Sequence, residues 1–284
     1  GTPALAKPVE LWTQVNALQP DLFGKYDKFT SQYCNPTKKR IGRDRFITDY
    51  SGASNTAELH QKLSQVMVRR LKVDVLQELP PKQRTVVPVH ISGKETKQAC
   101  LQAMKDLEEA SKARKGLTVE KFLDGNGEEN GGSVEGGPSF DQAVMQAYQT
   151  TGIGKAQAVV DYLFDFLAGS DQKILVFGHH KKVLDHIDAA LMRHWPNSHM
   201  RIDGSVPAVV RAQLVRQFQN NARVRVGLLS MTAAGVGLTL TAASTVLFAE
   251  LHWTPGVLAQ AEDRAHRIGT TASRIQIVYM VCRD

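Results

Sequence analysis

Three polar side chains near the end of the chain have the types and the spacing of an anion-binding group. In the segment QAEDRAHRIG, Gln260, Arg264 and Arg267 follow one another at intervals of four and three residues, so a helix would place them on one face. Two guanidinium groups on one face stay charged at any working pH and present forked donors to a phosphate. Phosphoryl transfer requires such a clamp, because negative charge develops on the terminal phosphate. The residues alone also allow a solvated helix laced by ion pairs between side chains four residues apart.

The composition is that of a globular chain. Its 284 residues are 42% hydrophobic, which is enough to bury one or two cores. No apolar run approaches the roughly 20 residues that a membrane-spanning helix needs, and no signal peptide is recognisable. The thiols of Cys34, Cys100 and Cys282 are far apart and lack partners at metal-ligand spacing. We therefore expect no metal site among them and a reducing, intracellular compartment.

Positive charge is concentrated in the first part of the chain. The net charge is +7, of which residues 1–115 carry +8 and the remainder −1. A polyanion such as DNA would explain this asymmetry, because Lys and Arg gain affinity by releasing counterions from phosphates. The densest cluster consists of Lys38, Lys39, Arg40, Arg43 and Arg45. On its residues alone, that cluster is also compatible with a solvated loop.

Strand-like and helix-like segments alternate over residues 141–284. The apolar runs typical of buried strands are ILVF (174–177), VRVGLLS (224–230), STVLFAE (244–250), RIQIVYMV (274–281) and, shorter, HMRIDG (199–204). Helical patterns fill the intervals, near 155–168, 181–194, 207–220 and 255–267. The last of them has a typical start, with Thr254 as the cap and Pro255 in the first turn. This alternation predicts an α/β fold with a parallel sheet covered by helices on both faces.

The first region, residues 1–115, is mainly helical in pattern. Its clearest helical segments are 58–79 and 94–114. TVVPVHIS (85–92) is the one good strand there, and we expect it to join the edge of the downstream sheet. Residues 116–140 are rich in glycine and acidic residues and too poor in apolar ones to offset their ordering entropy. They are predicted to form a flexible loop.

Several segments, in this order, resemble the motifs of Swi/Snf-type superfamily 2 helicase-like ATPases. They are GTPA (1–4) for the end of motif III, VMVRRLKVDVLQELPPKQ (66–83) for the coupling block, KILVFGHHKKVLDHI (173–187) for motif IV, RIDGS (201–205) for the segment after it, SMTAAGVGLTL (230–240) for motif V and QAEDRAHRIG (260–269) for motif VI. FAELHWTPGVLAQAEDR (248–264) and DYSGASN (49–55) are most similar to the annealing-helicase branch of HepA-related proteins. The resemblance implies a second RecA-like lobe at 141–284, preceded by a helical protrusion and linker.

The resemblance also implies roles for single residues on the nucleotide side. Arg264 and Arg267 would be arginine fingers that reach a nucleotide held by another lobe, with Gln260 on the same face. Gly235 and Gly237 would let the backbone of motif V approach the phosphate or ribose of ATP, although a plain tight turn also requires glycine.

A second group of residues would face DNA or couple the two lobes. The hydroxyls of Ser230 and Thr232 could donate to a backbone phosphate, a contact that carries no sequence information. His179 and Trp253 would also face DNA, although a polar loop explains the first and a core position the second. The coupling residues implied by the resemblance are Gly1, Thr2, Pro3, Arg69, Arg70 and Lys72.

Two elements that ATP hydrolysis needs are missing from the sequence. Neither a GxxxxGK[ST] phosphate-binding loop nor a DExx carboxylate pair is present. TTGIGKAQ (150–157) lacks the first glycine at the right spacing and has Ala156 in place of the magnesium-binding hydroxyl, so we interpret it as a helix that starts at Lys155. In the family, both elements belong to the first RecA-like lobe. We therefore expect half of a motor, inactive alone, whose ATP and Mg are held mainly by the other lobe.

The most specific expectation is the C-terminal half of an ATP-dependent double-stranded DNA translocase. It would act as a monomeric motor on duplex or forked DNA without sequence preference, with the N-terminal RecA-like lobe in cis and no membrane. An annealing helicase of DNA repair or fork remodelling fits the resemblance best, and we expect it in the nucleus of a eukaryote or otherwise in the cytoplasm. A superfamily 2 RNA helicase lobe and a non-catalytic DNA- or protein-binding module remain alternatives. Thr254 and Thr270 depart from the family's usual asparagine and glutamine and leave the arginine pair intact.

Overall fold

Two compact units make up the chain. The computed structural model of the protein describes residues 4, 6–40, 45–70, 72, 76, 78–113, 119, 139–234 and 237–283. One unit, here called the helical unit, comprises residues 1–77 and 111–135, and the other, called the lobe, comprises residues 78–110 and 136–284.

The helical unit is built on short helices that share one small core. In its described residues, these helices are α1 (Val9–Leu18), α2 (Tyr26–Tyr33) and α3 (Thr56–Leu63). Their apolar faces meet in a cluster of Leu11, Val15, Phe23, Phe29, Tyr33, Cys34, Leu59 and Leu63. Glu58 of α3 accepts hydrogen bonds from the side chains of Gln32 and Tyr33, which joins α3 to α2 across this core.

A two-stranded hairpin carries the basic cluster, which the sequence patterns did not predict. Strand β1 (Thr37–Arg40) pairs antiparallel with β2 (Phe46–Asp49). Apolar and polar residues do not alternate in either strand. Both faces of the two strands are largely solvated, so no periodic pattern marks them in the sequence. Lys38 is exposed, whereas Lys39 pairs with Asp49 at 3.0 Å. Arg43 lies outside the described residues.

The helix predicted at 58–79 is wrong over residues 64–70, whereas Lys72 is again helical and its carbonyl accepts the backbone N–H of Leu76. Helix α3 ends at Leu63, and residues 67–70 are neither helix nor strand. The Ser64 hydroxyl donates to the carbonyl of Gln61, and the backbone N–H groups of Val66 and Met67 both turn back to the carbonyl of Leu63. A serine that bonds to nearby backbone and two valines in the next four residues both disfavour continued helix.

The lobe is a parallel α/β domain, which confirms the predicted fold class. Its elements in chain order are β3 (Lys82–Val89), α4 (Lys94–Ala113), α5 (Phe140–Gly169), β4 (Lys173–Gly178), α6 (Lys181–His194), β5 (His199–Ile202), α7 (Ala208–Asn220), β6 (Val226–Ser230), α8 (Met231–Ala234), β7 (Ala243–Phe248), α9 (Pro255–Glu262) and β8 (Ile275–Cys282). The sheet order is β3-β8-β7-β4-β6-β5, and every neighbouring pair is parallel. No helix in the described residues is long and apolar enough to cross a membrane.

Both faces of the central strands β4, β6 and β7 are buried, which explains their continuous apolar runs, whereas the edge strand β3 is largely exposed. In β4, Ile174 and Val176 belong to one core cluster, whereas Leu175 and Phe177 belong to the other. Successive side chains of a strand point to opposite faces, so a strand covered on both sides must be apolar at every position. All of Ile174, Leu175, Val176 and Phe177 have 0% exposure.

Strand β3 lies at the edge of the sheet and pairs in parallel with β8 over its full length. The segment TVVPVHIS was expected at this position, and the observed strand begins three residues earlier, at Lys82. Contacts group residues 78–110 with the lobe, whereas the sequence patterns had assigned the whole of 1–115 to one region. The strand separates from the helical pattern around it because its hydrogen bonds go to β8.

The segment TTGIGKAQ lies inside helix α5, not at a helix start as predicted. The helix begins at Phe140, behind a capping box of Ser139 and Gln142. Gly152 and Gly154 serve close packing, because a Cβ at Gly152 would overlap the Glu250 carboxylate and one at Gly154 would lie 3.0 Å from the Cys100 sulfur. The Nζ of Lys155 donates to the carbonyl of Met280 at 2.9 Å, and its burial lowers its pKa.

Candidate functional site

The two predicted finger arginines lie on a loop and not on a helical stripe. Helix α9 starts with Pro255 behind Thr254, as expected, but ends at Glu262, and residues 263–270, here called the arginine loop, form turns. Gly269 has a φ of +96°, a left-handed conformation that favours glycine and turns the loop towards β8. Gln260 therefore lies on α9, half-buried, while Arg264 and Arg267 lie beyond its end. The predicted alignment of all three residues on one helical face is wrong.

Arg264 is a buried guanidinium that lacks a carboxylate partner among the described residues. It is 5% exposed, and its Nη1 donates to the carbonyl of Leu238 at 3.4 Å. Its Nε is buried and has no hydrogen-bond partner in the described part of the chain. Burial, and after it the charge of Arg267, lowers the pKa of this guanidinium. Arg264 thus carries a buried charge that the protein leaves largely uncompensated.

Arg267 lies beside Arg264 and reaches the same turn. Its Nη1 donates to Thr239 Oγ1 at 3.0 Å and to the carbonyl of Gly237 at 3.4 Å, and its Nε donates to the carbonyl of Asp263 at 3.0 Å. These partners are neutral, so the positive charge of Arg267 adds to that of Arg264. Two adjacent guanidinium groups with one buried and unsatisfied N–H fit an anionic group such as a phosphate.

The turn that faces the arginine loop is the one predicted for motif V. Gly237 adopts a φ of +72°, and open space surrounds the position that a Cβ would take. Glycine is therefore required by the backbone conformation, and the space leaves the backbone accessible to a ligand. The backbone N–H of Leu240 donates to the carbonyl of Arg264 at 2.9 Å, which holds turn and loop together. Gly235, the other predicted glycine, lies outside the described residues.

The two predicted hydroxyl donors differ in accessibility. Ser230 is 7% exposed, and its Oγ lies 2.9 Å from Thr232 Oγ1 and accepts the N–H of Ala233 at 3.2 Å. Its hydroxyl therefore caps the start of α8. Thr232 is exposed and is the member of the pair that an external phosphate could reach.

His179 and Trp253 belong to a group of rings at the carboxyl ends of β4 and β7, here called the aromatic cluster. Its other members are Tyr148, His180 and His252. Tyr148 is at its centre, with ring centroids 4.5 Å from Trp253, 5.2 Å from His179 and 4.8 Å from His180. Trp253 is half-buried and His179 exposed, so the cluster presents ring surface at the edge of the lobe. No pattern in the sequence pointed to Tyr148.

A buried acid beneath the aromatic cluster shapes the loop after β4. Glu250 is 1% exposed and accepts the backbone N–H groups of His179 at 2.7 Å and of His180 at 2.9 Å, and its Oε1 lies 2.6 Å from Nδ1 of His180. Burial lowers the pKa of His179 and of His252 and raises that of Tyr148. Glu250 directly follows an apolar run in the sequence, and this pattern could have been used to predict the buried acid.

Half of the predicted coupling residues lie outside the residues that the structure describes. Gly1, Thr2 and Pro3 are among the residues that the structure does not describe. Arg69 and Arg70 are exposed in the irregular segment after α3, and Lys72 is half-buried. Their coupling role stays a prediction.

The three cysteines are free thiols, and Cys34 and Cys100 are buried. No group of His, Cys, Asp and Glu in the described residues could hold a metal ion.

Comparison with known proteins identifies two consecutive family domains. The SNF2-related domain matches residues 1–125, and the Helicase conserved C-terminal domain matches residues 154–269. Among curated relatives, the DNA annealing helicase and endonuclease ZRANB3 of Bos taurus is 41% identical over 281 residues, which cover 99% of this chain and 24% of the relative. The SWI/SNF-related matrix-associated actin-dependent regulator of chromatin subfamily A-like protein 1 of Xenopus tropicalis is 40% identical over 286 residues, 100% of this chain and 27% of the relative. The chain thus spans about a quarter of the length of these relatives.

Solved structures show the same fold. The C-terminal part of the Fun30 ATPase domain matches with a TM-score of 0.54 and 18% identity, covering 72% of this chain and 87% of that one. The Sulfolobus solfataricus SWI2/SNF2 ATPase core in complex with dsDNA matches with a TM-score of 0.52 and 21% identity, covering 99% of this chain and 56% of that one. The solved structures show the fold, and the two consecutive family domains together with the curated relatives confirm the resemblance: the chain belongs to the Swi/Snf family of superfamily 2 helicase-like ATPases, a family of ATP-dependent motors.

Proposed function

We propose that this chain is the C-terminal half of an ATP-dependent double-stranded DNA translocase, and that the whole protein is an annealing helicase. The observation that supports this most strongly is the arginine loop, where Arg264 and Arg267 place two uncompensated charges against the Gly237 turn. A protein tolerates such an arrangement where a ligand completes it. The curated relatives named as annealing helicases favour the same activity.

On this proposal, the arginine loop faces ATP bound mainly by the N-terminal RecA-like lobe in cis. When bound, ATP with Mg supplies a terminal phosphate that can be transferred to water. Arg264 and Arg267 would donate hydrogen bonds to the negative charge that develops on that phosphate, a role that can contribute roughly 10³–10⁵ in rate. The backbone at Gly237 would approach the nucleotide on the same side, and Gln260 would approach it from α9. Mg would be held by carboxylates of the other lobe.

DNA would be bound through its phosphates, without sequence preference. Thr232 offers an exposed hydroxyl, and the aromatic cluster around Trp253 and His179 offers ring surface and imidazole donors. In the helical unit, the basic hairpin around Lys38 adds positive charge for the backbone. Arg69, Arg70 and Lys72 would couple DNA binding to ATP hydrolysis. The whole protein would act as a monomer on duplex or forked DNA in the nucleus, in DNA repair or fork remodelling.

The first test separates this proposal from its alternatives. The chain alone is expected to fold and to lack ATPase activity, because its sequence contains no phosphate-binding loop and no DExx pair. The complete protein is expected to hydrolyse ATP, with stimulation by double-stranded or forked DNA, and to anneal complementary strands. Stimulation by RNA and not by DNA would indicate an RNA helicase. DNA-stimulated ATPase activity of the chain alone, above that of a mock purification, would contradict the half-motor assignment.

A further inference from the structure

The arginine loop has no regular secondary structure, so something else must fix the positions of its side chains. A misplacement of about 1 Å can reduce a reaction rate about 100-fold, which makes the support of a catalytic loop part of the machinery. On one side, the loop is held by the Gly237 turn, through the N–H of Leu240 and the guanidinium groups themselves. The other side is held by side chains of strand β3.

Glu262, the last residue of α9, is the centre of this second contact. It is 2% exposed, and four donors converge on its two oxygens. Arg84 donates from Nε to Oε1 at 3.0 Å and from Nη2 to Oε2 at 2.7 Å, Lys82 Nζ donates to Oε2 at 2.8 Å, and the Tyr279 hydroxyl donates to Oε1 at 2.7 Å. We call Glu262, Lys82, Arg84 and Tyr279 the acid clasp.

The acid clasp keeps Glu262 ionised in spite of its burial. Burial alone would raise the pKa of this carboxyl, but the hydrogen bonds from Arg84, Lys82 and Tyr279 outweigh it and hold the pKa below its usual range. The same contacts act on the donors: Glu262 raises the pKa of Arg84, and burial together with Glu262 raises the pKa of Tyr279 to about 12. The Glu262 carboxylate and the Arg84 guanidinium therefore stay charged throughout the range in which proteins work.

Contacts with β3 continue into the arginine loop itself. Lys82 Nζ also binds Asp263 Oδ1 at 2.8 Å, and Nε2 of His266 lies 2.8 Å from the carbonyl of Pro80. Residues 262, 263 and 266 are thus attached to residues 80–84, and Arg264 lies between these attachments. A solvated helix would have paired Glu262 with a side chain four residues away. Glu262 instead contacts Lys82 and Arg84, which are about 180 residues away in sequence.

Strand β3 is in a position to influence these contacts. Among the strands that the structure describes, it lies at the edge of the sheet beside β8 alone, and the segment that leads into it, 66–83, is the one that resembles the coupling block. Its backbone is therefore held on one side only, whereas every interior strand is held on both. A displacement of β3 would pull on Glu262 and Asp263 directly, because Lys82 bridges both carboxylates.

We propose that Lys82 and Arg84 are positioning residues, which hold the arginine loop through Glu262 and Asp263 so that Arg264 and Arg267 can reach the terminal phosphate. This inference rests on the proposed function, since it requires the two arginines to act on ATP. It adds a role for residues of an edge strand that touch neither nucleotide nor DNA.

The test compares turnover by the complete protein with and without the clasp. Arg84→Ala is expected to lower kcat for DNA-stimulated ATP hydrolysis about 10-fold to 100-fold, with KM for ATP and duplex affinity near those of the wild type. Arg84→Lys is expected to recover part of this loss, because lysine keeps the charge but not the two-pronged contact. Tyr279→Phe removes one neutral donor and is expected to have the smallest effect.

A matched control separates positioning from general stability. Arg201 of β5 contacts three carboxylates in the same lobe, Asp185 at 2.7 Å, Asp188 at 3.1 Å and Asp203 at 3.0 Å. Arg201→Ala breaks an ion-pair network of similar size that lies outside the clasp. It is expected to lower the melting temperature as Arg84→Ala does, but to leave kcat near that of the wild type. Loss of turnover in proportion to lost melting temperature in both variants would overturn the proposal.

A double-variant comparison tests whether the clasp acts through the arginines. In a background that already carries Arg264→Ala and Arg267→Ala, adding Arg84→Ala or Arg84→Lys is expected to cause little further loss of kcat, because both positioned groups are gone. An equal fold-loss in both backgrounds, or normal kcat in the single Arg84 variants, would overturn the inference and leave the proposed function standing. Normal turnover in Arg264→Ala alone would instead overturn the assignment of the fingers, and this inference with it.

Discussion

Arg84 and Arg264 both lie next to the end of helix α9, in opposite electrostatic surroundings. Arg84 donates two hydrogen bonds to the Glu262 carboxylate, which raises the pKa of its guanidinium. Arg264 is more deeply buried, has a second guanidinium beside it, and the pKa of its guanidinium is lowered. A carboxylate balances the charge of an arginine that stabilises the fold. An arginine that binds a ligand keeps an unbalanced positive charge, which lowers the stability of the folded protein. The surroundings of Arg84 and Arg264 therefore distinguish an arginine that stabilises the fold from one that binds a ligand.

The largest expected effect concerns the uncompensated pair. In the complete protein, Arg264→Ala or Arg267→Ala is expected to lower ATP turnover by about 10³-fold or more, because charge on the terminal phosphate loses its partner. Duplex affinity without nucleotide should stay near that of the wild type, and lysine should substitute poorly because it lacks the planar fork. Measured kcat and duplex binding for Ala and Lys variants check this. Near-normal turnover in both Ala variants would show that these arginines do not act on the terminal phosphate.

The second prediction compares the two arginine environments by the free energy of unfolding. Glu262→Ala leaves Lys82, Arg84 and Tyr279 without their acceptor and is expected to lower the free energy of unfolding by about 3–5 kcal/mol. Arg264→Met removes an uncompensated charge and keeps much of the apolar volume, so it should be neutral or stabilising. Urea unfolding of the chain with each substitution provides both values. A loss in Arg264→Met as large as that in Glu262→Ala would remove the distinction between the two arginine environments.

The basic hairpin also contains an exposed cation and a paired cation, and we expect a smaller effect from replacing either of them. Lys38 is exposed, whereas Lys39 is paired with Asp49. Lys38→Ala is therefore expected to weaken duplex binding for all sequences alike and to reduce the salt dependence of the logarithm of affinity by about one charge. Lys39→Ala should change both less, because its charge is already partly neutralised. Binding titrations at several salt concentrations test this, and an equal response of both variants would contradict it.

The smallest effect is a pH dependence of the aromatic cluster. Burial lowers the pKa of His179 and His252 below the unfolded value of about 6.5, so folding favours their neutral forms. The unfolded state binds more protons below that value, and stability is therefore expected to fall as the pH drops from about 7 to 5. His179→Phe keeps a ring and removes one titrating group, so it should flatten this decline. Melting temperatures across that range compare the two proteins; identical slopes would exclude His179 as a contributor.

The fold could be predicted well where both faces of a strand are buried. In β4, the four consecutive apolar residues ILVF have 0% exposure, as expected of a strand that is covered on both faces. The hairpin of β1 and β2 could not be predicted, because its residues are exposed on both faces and leave no periodic pattern. The early end of α9 could not be predicted either. Glu262 at this end contacts Lys82 and Arg84, which belong to a strand that is distant in sequence.

The candidate site shows the same division between local and long-range information. Arg264, Arg267 and Gly237 were identified by local spacing and motif, and the structure brings these three together. Tyr148 and Glu250 were missed, because their roles arise only when α5 and β7 meet the loop after β4. The glycines of TTGIGKAQ show the reverse case, in which a phosphate-loop-like string reflects close packing of α5 against α4 and against Glu250 after β7.

The position of the thiols gives this molecule two internal reporters. Cys34 lies in the core of the helical unit, and Cys100 lies against Gly154 and the carbonyl of Thr150 in the lobe. Burial raises the pKa of both thiols, so each reacts with an alkylating reagent only when its surroundings open. The half-exposed Cys282 is an internal reference for intrinsic reactivity. Mass spectrometry of the labelled wild-type protein can therefore time the opening of each unit separately, without an engineered label.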